Sequence, residues 1–356
     1  MDDPLKADRR DDEAGCHGTP GMPRMLALLG IGLAAVSADV GAQSRQLLPT
    51  VYEAGHFYAV PELTNGQRLR LIVDTGGSGG SGWYVIAAKA AQRLKLPTTS
   101  CTLGTQHVDV IASLAFRAGK GLPPSPGTPC HSVALVEAGS GGQVDGEDGV
   151  LGAGYLPGHI WTFDYPRQQL WLEPPTWRPQ PGRHRTNLGF PRNDQGKPAS
   201  GFARITLQVD GQPLDLLLDT GATAKPTAVG RQASDTPTSP RGIGVTSYIT
   251  TSVLERWHRR HPDWSVVAQG DDLLGTKYAS RLIEVPDIEI AGWTIGPVWF
   301  TERADSDFHD FMSQYMDRRV EGSTGGNIFA HFVMTIDYPA SSAWFACMTQ
   351  CRAAGK

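Results

Sequence analysis

The sequence predicts a mostly β chain of two related lobes with a few short helices. Two internal repeats and the turn content predict it. One segment recurs 145 residues further on, a second recurs at an offset of 173, and the 356 residues include 42 glycines and 26 prolines. Abundant Gly and Pro favour many turns and short strands over long helices. In the first repeat, Phe57 to Gly76 matches Phe202 to Gly221 without a gap, with Phe57 on Phe202 and Val60 on Ile205. Each copy reads as an alternating strand that reaches Asn65-Gly66 or Asp210-Gly211, a strong hairpin signal. A second strand, with Leu69 and Leu71 or Leu214 and Leu216, then runs into Asp74-Thr75-Gly76 or Asp219-Thr220-Gly221. In the second repeat, Gly152 to Trp171 matches Gly325 to Trp344, and Asp164-Tyr165-Pro166 falls on Asp337-Tyr338-Pro339. Two domain-sized copies are a duplication, not a solenoid.

The repeats divide the chain into a leader and signal peptide (1–42), an N-terminal lobe (43–173), an interlobe linker (174–198) and a C-terminal lobe (199–356). The linker is marked by its Pro, Arg, Asn and Gly content. In the leader, Arg24 precedes a short apolar run over residues 25–38, and Val40-Gly41-Ala42 offers small residues for cleavage before Gln43. That pattern reads as a secretory signal, with an uncleaved anchor as the alternative, and implies a periplasmic or secreted protein. Helical signals appear at Val85 to Leu96, at Ser252-x-x-Glu255 before Pro262, and in the spacing of Phe308, Phe311, Met312, Tyr315 and Met316. The last stripe reads as packing. Once the leader with Cys16 is removed, Cys101, Cys130, Cys347 and Cys351 remain. An even count in an exported chain suggests disulfides; proximity favours 101 with 130 and 347 with 351, though three connectivities are open. A net charge of −4 gives no case for nucleic acid as a partner.

One Asp-Thr-Gly is a weak signal, because Asp and Gly are common in turns. Two copies delivered by the same leucine-rich strand are harder to dismiss. Leu71-Ile-Val-Asp-Thr-Gly76 and Leu216-Leu-Leu-Asp-Thr-Gly-Ala222 resemble the paired motifs of pepsin-like and retropepsin-like aspartic peptidases, here in a bacterial-type, two-lobed arrangement. The resemblance covers roughly Tyr52 to Ala346 and implies a bilobal acid-protease fold of two β-barrel-like lobes related by a pseudo-twofold axis. It implies a catalytic pair, Asp74 and Asp219, that activates water for peptide hydrolysis without metal or cofactor. Two carboxylates at close range cannot both ionise cheaply, so they share a proton. The implied partner is an extended peptide or protein substrate, and the chain is expected to be a monomer. Gly76 and Gly221 would let the chain turn beside the carboxylates, and the hydroxyls of Thr75 and Thr220 would brace each loop against the other's backbone. Val150-Leu151-Gly152 resembles the segment that threads beside the active-site strand, and Ser323-Thr324-Gly325 keeps only its glycine.

The sequence also departs from the family. Ala222 suits the position after Asp-Thr-Gly, whereas Gly77 opens a loose Gly-Ser-Gly-Gly-Ser-Gly run. Missing hydroxyls at both positions predict raised dyad pKa values and activity reaching weakly acidic or near-neutral pH. No flap tyrosine stands out between Cys101 and Cys130, where Phe116 is the nearest candidate. A pepsin-fold binding protein without activity is the alternative from another class. Asp164 and Asp337 read as turn residues, His258 and His261 as a solvated helix face, and Asp145 to Asp148 lacks a calcium-loop pattern.

Overall fold

The computed structural model describes residues 44–78, 82–124, 129–137 and 146–355. The signal segment read in residues 1–42, most of the Gly-Ser run after Gly77, and Asp145 lie outside the described residues. The mostly β, bilobal architecture follows from the duplication. In the first half, eight strands form one sheet in the spatial order Thr50–Glu53, His56–Ala59, Leu71–Val73, Gly149–Leu151, Tyr84–Ala87, Ala134–Glu137, Gln106–Ile111 and Thr99–Leu103. Leu71–Val73 is buried along its whole length, as expected of a central strand with apolar residues on both faces.

The second half builds a ten-stranded sheet whose centre repeats the first. Gln212–Leu218 runs parallel to Gly322–Thr324, which is antiparallel to Ser247–Thr250, which is parallel to Val298–Arg303. Leu71–Val73, Gly149–Leu151, Tyr84–Ala87 and Ala134–Glu137 show the same order and directions. Both hairpins turn where Asn-Gly and Asp-Gly occur. Gly66, Asp210 and Gly211 take positive φ, which Gly and Asp adopt most readily in such turns.

A third, six-stranded sheet joins the halves. Ile160–Asp164 pairs antiparallel with Phe332–Asp337, its copy from the other repeat. Thr162 faces Thr335 at the centre of this pair, with their hydroxyl oxygens 2.7 Å apart. The main core is continuous across both halves and includes the fully buried Phe57, Trp161, Phe163, Phe329 and Phe345.

Three elements differ from the sequence reading. Tyr84–Ala87 is strand, and helix begins only at Ala88–Arg93, because Tyr-Val-Ile suits a buried central strand better than a helix. Within the linker, His184–Asn187 pairs with Ser342–Cys347 as an edge strand of the third sheet, between Pro-rich flanks. Of the apolar stripe, Phe308, Met312 and Met316 are buried, but Phe311 and Tyr315 are 61% and 43% exposed. That segment is a π-helical turn over Asp307–Phe311 followed by a 3-10 turn over Met312–Tyr315, so α-helical spacing does not keep its apolar residues on one face. The second helical signal is met by Thr251–Arg260.

The cysteines pair as Cys101–Cys130 and Cys347–Cys351. Among the described residues no helix is long and apolar enough to cross a membrane.

Candidate active site

Each Asp-Thr-Gly is placed by its neighbouring parallel strand. The Asp74 amide donates to the Leu151 carbonyl, and the Asp219 amide donates to the Thr324 carbonyl, both at 3.0 Å. Ser323-Thr324-Gly325 therefore threads beside the second aspartate as Val150-Leu151-Gly152 does beside the first. Within each loop, the glycine amide closes onto its own aspartate: Gly76 to Asp74 Oδ1 at 2.8 Å, and Gly221 to Asp219 Oδ1 at 3.0 Å.

The loops are cross-braced through buried threonines. The Thr75 hydroxyl donates to the Leu218 carbonyl (2.7 Å) and accepts from the Thr220 amide (2.9 Å). Reciprocally, the Thr220 hydroxyl donates to the Val73 carbonyl (2.8 Å) and accepts from the Thr75 amide (3.1 Å). A hydroxyl is both donor and acceptor, so one Thr satisfies two backbone groups of the opposite loop.

This bracing brings each glycine against the other motif's carboxylate. A Cβ at Gly76 would stand 2.6 Å from Asp219 Oδ1, and one at Gly221 would stand 2.6 Å from Asp74 Oδ2. Both distances are too short for a side chain, so glycine is required for close approach. Gly77 lies equally tight against Asp74 of its own loop, where a Cβ would collide with the carboxylate. The described part of the first loop is held in place: Gly77 and Ser78 carbonyls accept from Ala153 and Gly154, both at 2.8 Å.

Burial pushes both dyad pKa values up. For Asp219 the rise is large, and the Asp74 charge and the hydrogen bond between the two carboxyls add to it. For Asp74 the rise is opposed by Asp219 and by the amides of Gly76, Gly77 and Gly221. The two groups form one coupled unit that holds a proton more tightly than a free carboxyl does. Among the described residues Asp74 is half-buried and Asp219 is buried.

Several residues around the pair escaped the sequence reading. His56 is buried against the second loop, its Nε2 3.3 Å from Thr223 Oγ1. Burial lowers its pKa to about 4, against smaller opposing contributions from hydrogen bonds to the backbone at Ala222 and Gly221. The Tyr248 hydroxyl accepts from the Thr223 amide and donates to the Thr223 carbonyl, pinning the same loop. Tyr165 and Tyr338 recur in the second repeat, and each feels one dyad charge: Tyr165 that of Asp219, Tyr338 that of Asp74. Glu147 also feels Asp74 and is buried. Extending the 173-residue offset five positions upstream pairs Glu147 with Val320, which was the available signal.

Other candidates take structural places. Phe116 bridges to Leu63 beside the first hairpin turn and packs on the main core, because an apolar ring finds its neighbours there. Asp164 closes a turn onto the Arg167 amide and guanidinium, and Asp337 closes one onto the Ala340 amide. His261 pairs with Asp210 at 2.9 Å and stacks on Trp264. Asp148 is engaged by Arg93 and the Arg70 amide.

No family model matches the chain. No curated protein matches it. Among solved structures, it is similar to basic 7S globulin from soybean, with TM-score 0.43 and 11% identity over 86% of this chain and 96% of that one. It is also similar to the aspartic proteinase from Irpex lacteus, with TM-score 0.44 and 11% identity over 86% of this chain and 98% of that one. Likenesses this remote leave the chemistry to rest on the geometry of the site.

Proposed function

We propose that the chain is an aspartic endopeptidase in which a water held between Asp74 and Asp219 attacks the scissile carbonyl. The observation that carries this reading is the reciprocal packing of each motif's glycine against the other motif's carboxylate, locked by the paired threonines. A turn has no use for that reciprocity; a shared-proton pair depends on it. The ionised carboxylate takes a proton from water, whose oxygen bonds to the carbonyl carbon, while the protonated carboxyl donates to the carbonyl oxygen. Proton transfer to the amide nitrogen then lets the C–N bond break. No covalent intermediate is required.

Raised dyad pKa values keep the singly protonated pair populated at higher pH. The limbs of the kcat/KM profile report the free-enzyme dyad, and the expected maximum is weakly acidic to near neutral. A maximum at strongly acidic pH, with nothing above about pH 5, would refute this, since the upper value of the pepsin pair is ~4.7.

The decisive experiment is digestion of a mixed peptide library by purified protein, with Asp74→Asn and Asp219→Asn as controls. Cleavage lost in both variants supports the reading; peptide binding without cleavage by the native chain would make it a binding protein of this fold. Export fits the two disulfides, and a mature start near Gln43 on N-terminal sequencing is its test.

A further inference from the structure

The duplication allows Glu147 to be compared with its own counterpart. The backbone places it on Val320 without ambiguity. The Asp148 amide donates to the Arg70 carbonyl as the Glu321 amide donates to Asp215, and Asp148 and Glu321 carbonyls accept from Ala87 and Thr250 respectively. Val320 is fully buried in an apolar cluster with Leu217, Tyr248 and Phe308. At this position the fold is therefore served by valine, and a carboxylate in the first half is not a requirement of the backbone.

Glu147 borders a defined apolar surface. Tyr58, Ile72, Val150, Val85 and Leu135 stand opposite one another on five successive strands, so their side chains share one face. Asp74 lies two residues beyond Ile72 and points to that same face. In the second half, the corresponding face carries Leu217 and Tyr248 and is roofed by Phe308, Met312 and Met316. The first-half stripe forms a cluster of its own, to which none of these roofing residues belongs.

Among the described residues the carboxylate is poorly satisfied. Glu147 is 7% exposed, neither oxygen has a close hydrogen-bond partner among the described residues, and the Tyr58 hydroxyl is the one side-chain donor described as acting on it. Buried carboxylates are normally paired or hydrogen-bonded, so this one is incomplete. Of the cations near it, Arg70 is paired with Glu53 and lies over the Tyr58 ring. Arg241, on the second-half loop before Gly244–Val245, is exposed and packs its guanidinium on Gly146. The Arg241 guanidinium thus lies against the residue next to Glu147, and its charge acts on the carboxylate without pairing with it among the described contacts.

We propose that Glu147 is a specificity-determining residue that receives a lysine or arginine side chain of the peptide crossing the Asp74 face, with that side chain replacing the Arg241 guanidinium. The inference rests on the peptidase reading and deepens it by naming the substrate class. The stripe holds the aliphatic stem of such a side chain and Glu147 holds its charge. Burial raises the Glu147 pKa to about 7, with Asp74 adding and Tyr58, Arg70 and Arg241 opposing, so the preference for a cation strengthens as pH rises toward neutrality.

The test compares peptides that differ only by Lys against norleucine at each of the three residues either side of a cleaved bond. For the native chain at pH 7, one position is expected to favour Lys by tenfold or more in kcat/KM, and Glu147→Gln is expected to abolish that ratio. No Lys preference at any position, or one that survives Glu147→Gln, would overturn the proposal. A second arm measures binding of the same pairs to Asp219→Asn protein, with and without Glu147→Gln. Lys-selective binding that depends on Glu147 but comes without turnover by the native chain would support this site and sink the peptidase reading alone. Turnover without selectivity would sink this site alone, and neither turnover nor selective binding would sink both.

Discussion

Asp74 and Asp219 end copies of the same strand and make the same hydrogen bonds, yet their surroundings have diverged. Around Asp219 the fold is closed: Ala222 is buried, Tyr248 and His56 hold the following loop, and Val320 with Phe308, Met312 and Met316 seals the neighbouring face. Around Asp74 the same positions are lighter or charged: Gly77 replaces Ala222, Glu147 replaces Val320, and Asp74 keeps part of its surface exposed. Among the described residues, the second half seals this face with apolar side chains, and the first half places a carboxylate and a glycine at the matching positions. Duplication makes this readable, because one copy shows what the fold needs and the other shows what has been added.

The largest effect tests what the halves still share. Asp74→Asn and Asp219→Asn should each lower kcat/KM by about 10³-fold or more, within the ~10²–10⁴ typical of a general acid or base and compounded by loss of the shared proton. Markedly unequal losses would show that the aspartates do not act as one pair. Both variants should keep the native far-UV spectrum.

The grip should break equally from either side. Thr75→Val and Thr220→Val each strand a buried amide and a buried carbonyl, at a cost of about 2–4 kcal/mol apiece. Denaturant titration of both variants checks this; a difference above about 1 kcal/mol would mean that one loop carries the interface.

His56 sharpens the contrast through pH. Its folded pKa of about 4 lies below the usual 6.5, so the native state holds it neutral and the unfolded state protonates first. Its contribution is fully present above about pH 6.5 and is lost as pH falls toward 4, about 3 kcal/mol in all. His56→Gln should flatten the fall in stability between pH 7 and 4. An unchanged slope would remove His56 from the account.

Glu147 runs the other way. Its folded pKa of about 7 lies above the usual 4.5, so it imposes no penalty below about pH 4.5 and an increasing one up to pH 7. Glu147→Val, which copies Val320, should therefore stabilise the chain by about 1–3 kcal/mol at pH 8 and by little at pH 4. Melting temperatures at the two pH values check it; a loss of stability at pH 8 would show that the Tyr58 contact to Glu147 outweighs the cost of burying the charge.

Much of this architecture was legible before the fold was known, and for local reasons. Apolar alternation, Asn-Gly and Asp-Gly turns and the two offsets are properties of neighbouring residues, and they mark the hairpins, the paired Asp-Thr-Gly loops and the closing strands. Short-range competition is harder to read: Val85 to Ala87 carries a helical signal because alanines follow it, and the exposed Phe311 and Tyr315 carry a packing signal because their spacing assumes an α-helix. Tertiary structure alone decided which carbonyl each threonine reaches, that His56 of the first hairpin docks on the second loop, and that Glu147 borders the face of Asp74. These depend on contacts between residues far apart in the chain, where burial sets the protonation of His56, Glu147 and the dyad, and burial is a property of the packed whole.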